Sequence, residues 1–225
     1  MDFDPQKILE ILARHQVEHV IVGGVGGTLY GSPMSTDDVD IVPALSKRNL
    51  DALADALNEM NARLRSTEYP EGIRLDFTGK DLRRWIVEFS FLNLLTDFGK
   101  LDLIHRPGGF SGFQELASNS EELELGSIQL KVAALEDIIR SKQTVARDRD
   151  LEQLPTLKLL LEKRGSSVIR PGDEVIVPWQ STEVRGTVID VRGAGPAARV
   201  RVRLRRPDHD SEAELDFPST SIRRA

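Results

Sequence analysis

His19-Val20-Ile21-Val22-Gly23-Gly24, followed a dozen residues later by Ser35-Thr36-Asp37-Asp38-Val39-Asp40-Ile41-Val42, is the stretch from which the rest of the chain can be read. The apolar run ending at Val22 stops at two glycines and reads as a buried strand feeding a tight turn. Val25 to Tyr30 then begins a helix. Val39 to Val42 is a second, β-branched strand. Asp38 and Asp40 stand two apart at its mouth, so both carboxylates point to one face, separated by about 7 Å along the backbone. Like charges on one face repel, and burying them unpaired costs several kcal/mol or forces one to take up a proton. A divalent cation removes that penalty.

Working outward, Asp4-Pro5 ahead of Ile8, Leu9, Ile11 and Leu12 has the N-cap, early proline and apolar spacing of an opening helix. Leu50 to Leu64 carries helical spacing at Leu50, Leu53, Ala54, Leu57 and Met60. Strands are expected at Ile73 to Phe77, Val87 to Leu95 and Leu101 to Ile104, and helices at Gln114 to Ala117 and Leu135 to Glu162. The result is a mixed α/β (α+β) fold. Asp102 interrupts an apolar strand, and if that strand neighbours the Asp38-Asp40 strand, about 4.8 Å away, all three acids converge. Such a trio suits two-metal phosphoryl transfer, in which ions about 4 Å apart clamp nucleotide phosphates and activate an attacking hydroxyl. Gly23 and Gly24, without side chains, let backbone N-H groups approach a triphosphate. Each feature also has an ordinary explanation: Gly-Gly is most often only a turn, Thr36 and its acids can cap a turn, and strand-end acids often meet solvent. Their order and spacing together favour the metal site.

At 225 residues the chain exceeds a typical domain of roughly 100 to 150. Around Gly165-Ser166-Ser167 the composition shifts: every lysine lies before this point and only arginine carries positive charge after it. Two domains are expected, residues 1 to 164, including a helical segment 135 to 162, and residues 168 to 225. In the second, short strands at Val175 to Val177, Val184 to Val191, Val200 to Leu204 and Leu215 to Phe217 predict a small antiparallel β-barrel of the Src-homology-3-like kind. Arg199, Arg201, Arg203 and Arg205 alternate with apolar residues, so one strand face is basic. It is either a phosphate-binding ridge or one half of a hairpin in which Asp208, Asp210, Glu212, Glu214 and Asp216 neutralise it, and the hairpin is the stronger reading.

The net charge of -6 argues against wholesale nucleic-acid binding through a basic surface. With no cysteine, a metal must be held by oxygen or imidazole, and the four histidines make no ligand pair at a recognised spacing. Magnesium, as two ions, fits that donor set best. No run of about 18 apolar residues occurs, so no membrane partner and a cytoplasmic location are expected.

Val22-Gly23-Gly24 with Ser35-Thr36-Asp37-Asp38-Val39-Asp40-Ile41, continued by Gly99-Lys100-Leu101-Asp102-Leu103, resembles the signature of the DNA-polymerase-β-type nucleotidyltransferase superfamily. Ala134 to Lys142 and Arg147 to Leu151 resemble the helical segment of its AbiEii-like and MenT-like toxin branch, so that about residues 5 to 162 are covered. The resemblance implies a nucleotidyltransferase-fold mixed sheet with flanking helices and transfer of a nucleoside monophosphate from a nucleoside triphosphate to a hydroxyl, with release of pyrophosphate. It assigns metal binding and catalysis to Asp38, Asp40 and Asp102, nucleotide binding to Gly23, Gly24, Thr36 and Lys142, and a supporting role to Asp150. The acceptors it implies are tRNA ends or protein hydroxyls, within a toxin-antitoxin pair having a cognate antitoxin; small molecules come second. Two positions depart from the pattern: many members have serine where Gly24 stands and arginine where Met34 stands. They motivate the competing reading, a catalytically degenerate nucleotide-binding or regulatory module.

Overall fold

Asp4 accepts a hydrogen bond from the Lys7 backbone amide and, with Pro5 in the first turn, starts helix α1 (Pro5–Arg14), which buries Ile8, Leu9, Ile11 and Leu12. The computed structural model describes residues 3–167, 169–179, 182–193, 198–206 and 211–225, without the side chains of 165–167, 220 and 224. Contacts divide the chain into two compact units, Met1–Leu161 and Glu162–Ala225.

In the first unit α1 leads to strand β1 (His19–Val22), which passes directly into helix α2 (Gly23–Leu29). Strand β2 (Asp38–Pro43) follows, then helix α3 (Lys47–Glu59), capped by Ser46. Next come β3 (Arg63–Leu64), β4 (Ile73–Arg74), α4 (Gly79–Phe89), β5 (Phe91–Thr96), β6 (Gly99–Ile104), α5 (Phe113–Asn119), β7 (Glu121–Leu125), β8 (Ile128–Val132), α6 (Leu135–Val145) and α7 (Asp148–Ser167). The strands form one mixed sheet of order β4-β3-β5-β6-β2-β1-β8-β7, with β2 parallel to β6 and antiparallel to β1. Ile21, Val39, Ile41, Leu101 and Leu103 are fully buried in its core. None of the described helices is long and apolar enough to cross a membrane.

Four expectations need correction. Val87 to Phe89 are helical rather than extended, because Thr78 caps α4 and Leu82 and Ile86, four residues apart, are fully buried on its inner face. The helix stops at Ser90, which takes a left-handed φ of 63°, and only then does β5 begin. The strand at Ile73 to Phe77 shrinks to Ile73–Arg74, since the Asn58 amide binds both the N-H and the carbonyl of Phe77, the groups a ladder would use. The helix over Leu50 to Leu64 ends at Glu59, and Asn61 with φ 50° turns the chain into β3. Leu135 to Glu162 is two helices divided at Ala146, whose φ of 52° breaks the ladder. The hairpin of β7 and β8 has no counterpart in the sequence reading: three glutamates in Glu121–Leu125 mask a strand, glutamate being depleted there.

The second unit holds an antiparallel sheet of order β12-β11-β10-β9-β13, built from β9 (Glu174–Trp179), β10 (Thr182–Arg192), β11 (Arg199–Arg205), β12 (Glu212–Pro218) and β13 (Arg223–Arg224). Val175, Val177, Val188, Val200, Val202 and Leu204 form its core. The β11–β12 register sets Arg201 opposite Asp216 and Arg203 opposite Glu214, and both pairs hydrogen-bond. The hairpin reading of the basic ridge is therefore the one that holds for these residues; Asp208 and Asp210 lie outside the described residues.

Candidate active site

The parallel pairing of β2 with β6 puts Asp40 beside Asp102 and Asp38 beside Lys100. Asp38 and Asp40 are two apart in one strand, so all three carboxylates share a face. One oxygen from each lies within 4.8 Å of the others. Lys142 and Arg149 act on Asp40, and Arg65 and Lys100 on Asp102, but they offset the charge only in part. Removal from water, followed by repulsion from Asp38 and Asp102, pushes the Asp40 carboxyl up to about 7. Removal from water and repulsion from Asp38 push Asp102 up to about 6.

Several contacts fix the acids in place. Thr36 donates its hydroxyl to Asp38 Oδ1 at 2.7 Å. Asn93, opposite Asp102 on β5, donates its amide to Asp102 Oδ2 at 3.0 Å in the orientation that satisfies both groups. Asp37, the acid between Thr36 and Asp38, also lines the cleft, and its ion pair with Lys100 holds its carboxyl below the usual range.

The glycines sit against this cluster. Val22 pairs with Asp40, so the turn after β1 lies directly beside that carboxylate. Gly23 has φ 64°, and a Cβ there would run into Asp40 Oδ2. A Cβ on Gly24 would lie 2.6 Å from Cβ of Thr36, so the threonine that holds Asp38 occupies the room a larger residue 24 needs.

A cleft of about 420 Å³ opens over the acids, lined among others by Gly23, Thr36, Asp40, Asp102, Lys142 and Asp150. Helices α6 and α7 form its far wall. Lys142 donates to Asp150 at 2.9 Å, with both side chains largely buried, so Asp150 pairs with this lysine rather than with Arg147 or Arg149 beside it. Lys142 and Arg149 both draw the Asp40 carboxyl downward, which places their charges close to the acids. All eight residues singled out from the sequence, Gly23, Gly24, Thr36, Asp38, Asp40, Asp102, Lys142 and Asp150, line this one cleft. It also contains residues that sequence reading did not select: Asn93, Arg106, Arg147, Arg149 and Phe91, the last exposed in spite of its size. Only the alternation of Phe91 and Asn93 on β5 hinted at a shared face.

No protein-family model matches the chain, and no curated protein matches it in sequence. Solved structures do match. The lincosamide antibiotic adenylyltransferase LnuA, with lincomycin bound, is 14% identical with a TM-score of 0.48, over 71% of this chain and 99% of that one. ANT(2")-Ia in complex with adenylyl-2"-tobramycin is 13% identical with a TM-score of 0.46, over 71% of this chain and 88% of that one. The chemistry of the cleft therefore rests on its own residues.

Proposed function

We propose that this protein is a divalent-metal-dependent nucleotidyltransferase that moves a nucleoside monophosphate from a nucleoside triphosphate to a hydroxyl acceptor. The observation that carries the reading is the convergence of Asp38, Asp40 and Asp102 in a cleft whose opposite wall is cationic. The donor set fits magnesium: three carboxylates offer hard oxygen ligands, and the upward displacement of Asp40 and Asp102 marks negative charge that a cation would offset. When bound, magnesium would supply Lewis-acid polarisation of the phosphates and lower the pKa of the attacking hydroxyl.

The chain's own residues do the rest. Asp102 takes the acceptor's hydroxyl proton as the acceptor oxygen bonds to the α-phosphorus. The bond from that phosphorus to the α–β bridging oxygen breaks, and pyrophosphate leaves with its electron pair. Lys142, oriented by Asp150, meets the negative charge of the leaving phosphates, and Arg147 and Arg149 reinforce it. Gly23 keeps the β1–α2 turn close to Asp40, and Thr36 fixes the orientation of Asp38.

The resemblance to toxin nucleotidyltransferases favours a tRNA end or a protein hydroxyl as acceptor, with an antitoxin as partner and a cytoplasmic setting. Small-molecule hydroxyls form the other branch. A Src-homology-3-like closure of the C-terminal sheet would suit an adaptor role beside either. Protein incubated with magnesium and nucleoside triphosphates labelled at the α-phosphate should label tRNA, protein or a small-molecule pool. Asp40→Ala should abolish that label, and equal labelling by the variant would sink the mechanism. The competing reading, a degenerate binding module, draws on Gly24 and Met34. It takes over if calorimetry with magnesium detects no binding of ATP, CTP, GTP or UTP at millimolar concentration.

A further inference from the structure

The sheet face that carries the acids continues past them. Asp102 pairs with Asn93 on β5, and the Arg65 backbone amide, just after β3, donates to the Asn93 carbonyl. Arg63 pairs with Leu95 on one side and Arg74 on the other. Cross-strand partners share a face, and residues two apart in a strand do as well. Leu64, between the arginines, packs against the core. Arg63, Arg65 and Arg74 thus lie on the face of Asp38, Asp40 and Asp102, with Arg65 two strands, about 10 Å, from Asp102.

Arg65 draws the Asp102 carboxyl downward, yet the fold gives these cations no ion-pair partner of their own. Nε of Arg63 and Nε of Arg65 are buried without a hydrogen-bond partner. Among the described residues none of the three arginines makes an ion pair, whereas Lys100 on the same face is taken by Asp37. Guanidinium groups present forked donors that match phosphate oxygens, and three on one sheet face, Arg63 and Arg65 about 7 Å apart along one strand with Arg74 about 5 Å away on the next, suit an anion rather than a cation. By strand register they lie beyond Asn93, next to the Asp102 side of the cleft and outside its lining, whereas Lys142 and Arg149 line it.

We propose that Arg63, Arg65 and Arg74 form an anion-binding row that receives a phosphate group of the acceptor, so that the acceptor is a phosphate-bearing hydroxyl compound. The word acceptor rests on the nucleotidyltransferase reading; the binding row does not. The phosphate belongs either to a small ester or to a nucleic-acid strand, and a polycationic acceptor would be repelled here.

Full-length protein is titrated with glucose 6-phosphate by calorimetry and with a short fluorescein-labelled single-stranded oligoribonucleotide by anisotropy. At least one probe is expected to bind, with affinity reduced about tenfold in Arg63→Gln/Arg65→Gln/Arg74→Gln and about threefold in Arg74→Gln alone, an exposed site whose change leaves packing intact. Salt dependence of oligonucleotide binding should flatten in the triple variant. Binding of one probe and not the other identifies the source of the phosphate. Failure of both probes to bind, unchanged affinity in the arginine variants, or loss of binding only in Lys142→Ala overturns the proposal. Binding of MgATP, measured in parallel, tests the transferase reading separately: its absence beside an intact arginine row sinks that reading alone.

Discussion

Gly24 stands where the nucleotidyltransferase pattern that the sequence resembles often has serine, and the surroundings leave no room for that residue. Serine at this position would place its Cβ on Thr36, the residue that orients Asp38. Gly24→Ser is therefore expected to destabilise the fold by about 1–3 kcal/mol rather than improve phosphate binding. Gly24→Ser/Thr36→Gly should recover much of that loss, and strictly additive effects in thermal unfolding would contradict the steric account. Asp40 yields a second prediction. Its folded carboxyl is raised to about 7 from the ordinary 3.8, so between those values the folded state holds a proton that the unfolded state has released. Metal-free protein should accordingly lose stability as pH rises from about 4 to 7 and level off above. At pH 8 metal-free Asp40→Asn should exceed wild type by about 1–2 kcal/mol, a few degrees in Tm, while lacking the rise that magnesium is expected to give wild type. Equal Tm values for the two metal-free proteins at pH 8 would argue against a charge-strained Asp40. The acids were legible in the sequence because two-residue spacing fixes a face whatever the tertiary context. Asn93 and the Arg63-Arg65 row are not, because their place depends on which strands become neighbours, and neither is Arg149, whose place depends on how α7 folds back after Ala146.

Helices α6 and α7 show what element-level reading can and cannot reach. Their apolar content marked a helical segment, but the break at Ala146 lacks the usual glycine, so nothing in the local residues announced it. The break matters because it sets α7 at an angle that brings Asp150 back to Lys142, eight residues earlier. Ala146→Gly should relieve the left-handed strain and stabilise the fold by about 0.5–1 kcal/mol. Lys142→Ala should do the reverse, leaving Asp150 largely buried and without its cation, at a cost of about 3 kcal/mol. Denaturant titration distinguishes the two directions. If Lys142→Ala costs nothing measurable, the pair does not hold α6 and α7 together. Strands β1, β2 and β6 were legible because β-branched and apolar runs have few alternatives. Helix α4 was missed because Val87 and Phe89 favour strand locally, while the cap at Thr78 and the burial of Leu82 and Ile86 act together over a longer stretch.

At the scale of the whole molecule, a net charge of -6 coexists with a cleft walled by Lys142, Arg147, Arg149 and Arg106, so the total charge hides the local field that a triphosphate would meet. The residues of that cleft all belong to Met1–Leu161, and each of the two units carries its own apolar core. Helix α7 nevertheless runs on to Ser167, past the boundary at Leu161, so a fragment cut at Leu161 would sever a helix whose early residues Asp150 and Gln153 line the cleft. Residues 1–167 keep the first unit together with the whole of α7. Expressed alone, this fragment should fold and show the same magnesium-dependent rise in Tm as the corresponding transition of the full chain, because Asp38, Asp40 and Asp102, the proposed ligands, all lie within it. Scanning calorimetry of the full chain should then resolve one transition that moves with magnesium and one that does not. A metal response that disappears in the fragment would mean that residues beyond 167 help build the site, and the cleft could no longer be attributed to the first unit.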